Sequence, residues 1–102
     1  MRYSVDWTVK FSRGVKKALK KGTRNFSVDV LDSKEGLFLE LEKMGPTRFN
    51  RPNYGKLKGK GDRRHCHIFR RRPTYVACWE VKDLEEKTIE VYYVGTHEKA
   101  PY

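Results

Sequence analysis

The second half of the chain decides the fold, and residues 65–94 read HCHIFRRRPTYVACWEVKDLEEKTIEVYYV. Three segments in it are rich in β-branched and aromatic residues, a composition that predicts β-strands. These segments are His65–Arg70, Thr74–Val81 and Thr88–Val94. The basic turn at 71–73 and the charged turn Asp83–Lys87 separate them. The stretch therefore predicts a three-stranded antiparallel meander.

The first half predicts a strand followed by two helices. Residues 2–7 place Tyr3, Val5 and Trp7 at period two, which is typical of a short strand. The first helical pattern consists of Phe11, Val15, Ala18 and Leu19, with a stop at Gly22. The second consists of Phe26, Val30, Leu37, Leu41 and Met44, weakened at Gly36 and ended by Gly45-Pro46.

Residues 45–61 are rich in Gly, Pro, Asn and Lys, so we predict a loop there. The predicted order is strand, helix, helix, strand, strand, strand. This order indicates an α+β fold, with an N-terminal strand and two helices on one face of a three-stranded antiparallel meander.

The length of 102 residues predicts one domain spanning 1–102. No stretch approaches the roughly 20 apolar residues of a transmembrane helix. Asp6 lies where a signal peptide needs an apolar run. We therefore expect a cytoplasmic protein without a membrane partner, whose two cysteines are reduced.

The charge of the chain predicts a polyanionic partner. Lys and Arg number 23 against 13 Asp and Glu, a net charge of +10. Nucleic acid, an acidic protein and an anionic membrane surface are all consistent with this balance, as is a merely well-solvated surface. Residues 10–24 and 56–72 are strongly basic, whereas residues 29–42 are acidic. This alternation predicts two surfaces with different partners.

All three histidines lie in the sheet half. His65 and His67 stand two apart on a predicted strand, so both side chains leave the same face, about 6–7 Å apart along it. Cys66 and Ile68 then point into the core. His97 follows the last strand and Tyr102 lies five residues later. A sheet that aligns its strand ends groups His65, His67, His97 and Tyr102 in one basic cleft.

This cleft suits acid–base cleavage of RNA. A base activates the ribose 2′-OH and an acid protonates the leaving 5′-oxygen, and histidine performs either role near neutral pH. Cations around the phosphate stabilise the developing charge. The candidate cations are Lys56, Lys58, Arg63, Arg64, Arg70, Arg71 and Arg72.

Other interpretations compete with each of these features. The His65 and His67 pair is also a metal-ligand spacing, although Cys66 faces away from it and no acidic ligand lies close by in sequence. Cys66 and Cys78 lie opposite each other if the hairpin turns on residues 71–73, as a disulfide requires, but two reduced thiols packed as small hydrophobes suit a cytosol better.

Two further features have ordinary structural explanations. Aromatic residues at period two, of which Trp79 is one, belong to a core more often than to a base-stacking platform. The four lysines of the first helix are better explained as a solvated face than as an RNA groove. They are Lys16, Lys17, Lys20 and Lys21.

The chain resembles the RelE/ParE superfamily, the toxins of bacterial toxin–antitoxin pairs. The resemblance is carried by the sequences NYGKLKG at 53–59, RHCHI at 64–68, YVACW at 75–79 and VYYVGTHEKAPY at 91–102. It covers most of the chain and is strongest over residues 53–102. The ending Val-Gly-x-His or Val-Gly-x-Arg, followed shortly by a tyrosine, is moderately specific for this family, and the Lys-Leu-Lys-Gly loop adds to the resemblance.

The resemblance implies a concave RNA-binding sheet and metal-independent cleavage of mRNA in the ribosomal A site, which leaves a 2′,3′-cyclic phosphate. The family's active-site positions correspond here to His65, His67, His97 and Tyr102. The chain departs from the family at two points. The best-studied branch has lysines where this chain has His65 and His67, which redistributes the proton roles. The middle-strand arginine is Val76 here, so that either Arg64 or Arg70–Arg72 replaces it or the activity is weak.

The function predicted from sequence is therefore an endoribonuclease toxin that blocks translation without a metal or cofactor. His65 or His67 would be the general base and His97 the general acid or a phosphate ligand. The partners would be mRNA, the ribosome and an antitoxin with an acidic segment. The alternatives are a non-catalytic RNA- or ribosome-binding module and a ParE-like toxin directed at gyrase, against which the three histidines argue.

Overall fold

The computed structural model describes residues 6–21, 36–51, 53–59, 61–68 and 75–101. These residues form one mixed five-stranded sheet with the strand order β1-β5-β4-β3-β2. The strands are β1 Thr8–Phe11, β2 Gly55–Lys56, β3 Asp62–His67, β4 Tyr75–Asp83 and β5 Thr88–Thr96. Strand β1 is parallel to β5, and every other neighbouring pair is antiparallel.

The predicted fold of an N-terminal strand, two helices and a three-stranded antiparallel meander is wrong. The meander β3-β4-β5 exists, but it is extended at both edges. Gly55–Lys56, predicted to be loop, pairs with β3. Of the predicted strand at residues 2–7, residues 2–5 lie outside the described residues, and residues 6–7 are not in a strand. The first described strand begins at Thr8 and pairs in parallel with β5, so the sheet is mixed. A parallel pair requires a crossover connection, which periodicity within one segment does not reveal.

The first helix begins later than its apolar pattern suggests. Phe11 lies in β1, and helix α1 spans Arg13–Lys21. Ser12 caps this helix because its hydroxyl accepts a hydrogen bond from the backbone N–H of Val15 at 3.3 Å. Phe11 fits both the period-two pattern of the strand and the helical pattern, and the cap at Ser12 assigns it to the strand.

The second helix, α2, spans Leu37–Met44, with Gly36 as its N-cap and Gly45 after its last residue. The predicted stop at Gly45 is confirmed, and the helix begins directly after Gly36, the position at which the predicted pattern is weakened. Gly45 has a φ of +91°, a conformation that glycine adopts without strain. The predicted pattern at Phe26 and Val30 lies outside the described residues, as does the stop at Gly22.

Both described helices pack on the same face of the sheet, and this packing forms the core. The buried cluster joins one residue of α1, three of α2 and the inward side chains of β3, β4 and β5. Its members are Val15, Leu37, Phe38, Leu41, Cys66, Tyr75, Ala77, Trp79, Ile89, Val91 and Val94. The core predictions for Cys66, Ile68 and Trp79 are confirmed: Cys66 and Trp79 are fully buried, and Ile68 packs against the cluster.

The two cysteines are both buried and free, but they do not lie opposite each other. Cys66 pairs with Ala77, and Cys78 pairs with His65. Directly paired residues share a face, and the face alternates along a strand, so the two thiols point to opposite sides of the sheet. The expected juxtaposition of Cys66 and Cys78 is therefore wrong. The predicted turn at 71–73 lies outside the described residues, and the turn at Asp83–Lys87 is confirmed.

Candidate functional site

Strand β3 sorts its side chains between the two faces of the sheet. Arg64 and Cys66 point to the core side and are buried, whereas Arg63, His65 and His67 point to the opposite side. The predicted common face of His65 and His67 is thus confirmed. We call the side of the sheet that carries Arg63, His65 and His67 the histidine face.

His97 joins this face from strand β5, at the same end of the sheet as His67. It begins a single 3-10 turn, His97–Lys99, directly after β5. The rings of His67 and His97 meet edge to face, with centroids 5.4 Å apart and planes at 73°. Register explains the approach, because His67 pairs with Val76, and Val76 pairs with Gly95, two residues before His97. The structure thus brings His67 and His97 together on the face that carries His65, whereas Tyr102, the fourth member of the predicted cleft, lies outside the described residues.

Strand β4 provides the floor between these histidines. Val76 and Cys78 share the histidine face through their pairing with His67 and His65, and both are fully buried. A fully buried side chain at position 76 leaves no place for the exposed cation that the resemblance implies on the middle strand. Burial also raises the pKa of the Cys78 thiol to about 12, so it is a packed, protonated group rather than a nucleophile.

Tyr93 and Gly95 shape the turn that presents His97. The Tyr93 hydroxyl donates a hydrogen bond to the backbone oxygen of Thr96 at 2.7 Å. The phenol crosses directly over Gly95, where a Cβ would lie 2.7 Å from Oη and 2.9 Å from Cζ of Tyr93. Only glycine allows this close approach. This close approach explains why glycine occupies position 95 in the Val-Gly-x-His ending, which the sequence alone did not explain.

The environment of His65 favours its neutral form. Burial lowers the pKa of His65 below its ordinary value of 6.5, and the charges of protonated His67 and His97 lower it further. Desolvation and neighbouring cations both disfavour a second positive charge. His65 therefore stays available as a proton acceptor to a lower pH than an ordinary histidine does.

Arg63 is a cation of the histidine face. Its side chain is about half exposed (51%), pairs with Glu80 at 3.6 Å and lies over the ring of Tyr92 at 5.4 Å from the centroid. Glu80 also accepts from Lys82 at 3.3 Å. Because Arg63 is about half exposed and Glu80 keeps Lys82 as a second partner, the Arg63 guanidinium is able to bind a phosphate as well.

Arg64, by contrast, is built into the opposite side of the sheet and is only 8% exposed. It forms a bidentate ion pair with Asp62, at 3.0 and 2.9 Å, and donates to Thr47 and Tyr54. The hydrogen bonds from Arg64 lower the pKa of the Asp62 carboxyl. Lys56 pairs with Arg64 across β2 and β3, so it also leaves the sheet on this side. The structure separates both cations from the histidines.

The remaining sequence-predicted residues are divided between the surface and the undescribed segments. Lys58 is exposed in the turn between β2 and β3. Arg70, Arg71, Arg72 and Tyr102 lie outside the described residues. Of the helix lysines, Lys16 and Lys17 are exposed, as a solvated face requires.

Sequence reasoning missed a pocket on the core side of the edge strand. It has a volume of about 290 Å³ and is lined by Thr47, Phe49, Tyr54, Gly55, Lys56 and Arg64. We call it the edge pocket. Thr47 and Phe49 lie in a segment predicted only as loop, which carries no periodic pattern that would assign its side chains to a site.

Comparison with protein-family models, with curated proteins and with solved structures found no match for this chain. Within the described ranges, no three His, Cys, Asp or Glu side chains are grouped so that they could hold a metal ion. No helix in the described part of the chain is both long enough and apolar enough to cross a membrane.

Proposed function

We propose that this chain is the toxin of a toxin–antitoxin pair, an endoribonuclease that cleaves mRNA in the ribosomal A site by metal-independent acid–base chemistry. The observation that carries the proposal is the convergence of His65, His67 and His97 on one face of the sheet, with the rings of His67 and His97 5.4 Å apart. The similarity of residues 53–102 to RelE/ParE toxins supports the same reaction.

In the proposed reaction, neutral His65 takes the proton of the ribose 2′-OH, and the 2′-oxygen forms a bond to phosphorus. The bond from phosphorus to the 5′-oxygen breaks, and the His67 and His97 pair supplies the proton that the leaving oxygen needs. The products are a 2′,3′-cyclic phosphate and a free 5′-hydroxyl. The lowered pKa of His65 suits the base role because it keeps the imidazole neutral near pH 7.

Arg63 is the cation placed to meet the phosphate in this proposal, since it lies on the histidine face and is about half exposed. A guanidinium offers paired N–H donors to phosphate oxygens. Arg70–Arg72 and Tyr102 stay predictions for phosphate binding and for positioning of the 2′-OH. The net charge of +10 supports RNA as the substrate and an acidic antitoxin segment as the partner, in the cytoplasm.

The proposal is tested by primer extension on an mRNA in a reconstituted translation mixture. Wild type is compared with His67→Ala and His97→Ala, and Glu98→Ala is the matched control because Glu98 is an exposed neighbour in the same turn. Loss of a proton-transfer group lowers the rate by about 100- to 10,000-fold. We expect cuts within codons for wild type and Glu98→Ala, and none for the histidine variants.

Two outcomes contradict nuclease activity. Intact mRNA with blocked translation indicates a non-catalytic ribosome- or RNA-binding module. Intact mRNA with normal translation directs attention to gyrase, for which a supercoiling assay is the next measurement. Cleavage that persists in both histidine variants refutes the assigned roles but not the activity.

A further inference from the structure

The edge pocket and the histidine face lie on opposite sides of strand β2 and are built from different residues. Its volume of about 290 Å³ is at the lower limit of the range of ligand pockets, roughly 300–1,000 Å³. Aromatic rings, a hydroxyl and two cations share its lining. This combination suits one small planar group attached to an anionic chain.

The floor of the pocket is held rigidly. Arg64 Nη1 donates to Thr47 Oγ1 at 2.6 Å and to the Tyr54 hydroxyl at 3.1 Å, while Asp62 binds the rest of the guanidinium. The Tyr54 ring is stacked on fully buried Trp79, with centroids 6.1 Å apart. The indole N–H of Trp79 in turn donates to the backbone oxygen of Pro46. A pocket fixed in this way needs little ordering when a ligand binds.

Phe49 forms the rim and is exposed to an unusual degree. Its side chain is 84% exposed, the largest exposed fraction among the large hydrophobic residues described. Among the described residues, Tyr54 contacts this ring edge to face, with centroids 5.3 Å apart and planes at 80°. A flat apolar ring beside exposed Lys56 has the composition of sites that bind single-stranded nucleic acid, where bases stack on aromatics and cations follow the backbone.

Gly55 connects this pocket with the histidine face. It lines the pocket, and it pairs directly with His65 across β2 and β3. A Cβ at position 55 would lie 3.5 Å from His65 Nε2. The backbone of this one residue therefore lies between the edge pocket and the histidine face. Paired strands are about 4.8 Å apart. A chain that crosses this two-residue edge strand reaches both sites.

We propose that the edge pocket binds one unpaired base of the RNA, stacked on Phe49, while an adjacent phosphate lies at the histidine face. The choice of RNA as the ligand rests on the proposed function. Lys56 neutralises the phosphate on the pocket side, and the stacked base fixes the position of the strand relative to His65. Stacking tolerates any base, so the pocket positions the strand without specifying its sequence.

The test is fluorescence anisotropy with a 5′-fluorescein-labelled eight-nucleotide single-stranded RNA. Wild type is compared with Phe49→Ala, with the conservative variant Phe49→Tyr, and with Leu84→Ala as the matched control. Leu84 is also a large, exposed apolar residue (72%), in the turn between β4 and β5. A stacked base contributes a factor of about five to 150 in affinity. We expect Phe49→Ala to bind that much more weakly, and Phe49→Tyr and Leu84→Ala to bind as wild type does.

A second arm identifies what stacks on Phe49. An abasic nucleotide is placed in turn at each position of the same RNA. At one position it should weaken binding to wild type, and at that position it should not weaken binding to Phe49→Ala any further. The proposal is overturned if no abasic position matters, if Phe49→Ala binds the intact RNA normally, or if wild type does not bind it. Equal weakening of binding to RNA and to a poly-glutamate peptide would assign the pocket to an acidic protein instead.

These measurements are separable from the nuclease test because they read binding alone. Phe49→Ala is expected to fold, since the side chain is mostly exposed, and circular dichroism verifies this. If wild type leaves the mRNA intact while Phe49 still stacks a base, the pocket stands and the nuclease function fails. If cleavage depends on the histidines while Phe49→Ala binds RNA normally, the nuclease function stands and the base-binding role of the pocket fails.

Discussion

At the scale of single residues, the geometry of the histidine face depends on side chains that take no part in proton transfer. Val76 and Cys78 fill the floor between the histidines, and Gly95 lets the Tyr93 phenol pass over the backbone to Thr96. The hydrogen bond from the Tyr93 hydroxyl to the backbone oxygen of Thr96, the residue before His97, therefore positions the exposed imidazole of His97. Removing that support should displace His97 without altering any imidazole.

We predict that Gly95→Ala destabilises the fold by about 1–3 kcal/mol, the range typical of overpacking. The new methyl group would lie 2.7 Å from Tyr93 Oη and 2.9 Å from Cζ, so either the phenol or the strand must shift. Urea denaturation measures the loss. Tyr93→Ala provides the second side of a double-mutant cycle, because it removes the ring that clashes.

In the Tyr93→Ala background, Gly95→Ala should have almost no effect on the free energy of unfolding. An equal loss with and without the Tyr93 ring would show that the strand itself, rather than the phenol, requires glycine at position 95. In that case the proposed support of His97 by Tyr93 is wrong.

At the scale of elements, a cluster of charged residues attaches the loop after α2 to that helix. Glu40 on α2 binds Arg48 at 3.1 Å and Arg51 through two hydrogen bonds of 3.1 Å. Arg48 is only 7% exposed, and its Nη2 also donates to the backbone oxygen of Met44. Phe49 lies between these two arginines in sequence. The rim of the edge pocket is therefore held in place by Glu40.

Glu40→Gln should lower the free energy of unfolding by about 3 kcal/mol at pH 7, because it leaves a largely buried arginine without its counter-charge. The matched control is Glu42→Gln on the same helix, whose side chain is about half exposed (47%) and lies 4.0 Å from Lys43. That exposed pair contributes little, so the control should differ from wild type by less than about 0.5 kcal/mol. Urea denaturation at pH 7 makes the comparison.

The pH dependence of the same variant has a defined sign. Burial raises the pKa of the Glu40 carboxyl, but hydrogen bonds from Arg51, Asn50 and Arg48 outweigh it and leave the pKa below 4.5. The folded state thus holds this proton less tightly than the unfolded state. The contribution of Glu40 is complete above the unfolded pKa and disappears as the pH falls through the folded one. Wild type and Glu40→Gln should therefore converge at low pH, and a constant gap would contradict the ion pairs.

At the scale of the whole molecule, the sheet separates two surfaces. The histidine face carries the imidazoles with Arg63, whereas Lys56 and Arg64 lie with the edge pocket on the other side of β2 and β3. Lys16 and Lys17 of α1 are exposed and belong to neither site. Binding of RNA should therefore depend on where a positive charge lies, not only on the net charge of +10.

The salt dependence of RNA binding tests this distribution. Each phosphate contact on a single strand contributes about −0.7 to the slope of log K against log salt. We predict that Lys56→Ala makes the slope less steep by about 0.7, whereas Lys17→Ala on α1, which removes the same charge, leaves it unchanged. Anisotropy titrations of the eight-nucleotide RNA across a range of salt concentrations give the slopes. Equal changes in both variants would indicate diffuse attraction by the net charge instead of binding across the edge strand.

The sequence determined the features that depend on neighbouring residues alone. Alternation predicted the strands of the meander, the common face of His65 and His67 and the burial of Cys66, because side chains of a strand alternate at period two whatever the strand pairs with. Gly45 and Pro46 correctly predicted the end of the second helix.

Only the tertiary structure decided the rest. Pairing of β1 with β5, the additional strand Gly55–Lys56 and the register that places Cys66 opposite Ala77 all depend on contacts between distant segments. The 5.4 Å approach of His67 to His97 and the edge pocket arise from that register. The strands, turns and bulges of the whole sheet together determine which strands pair and in which register. No single segment contains that information.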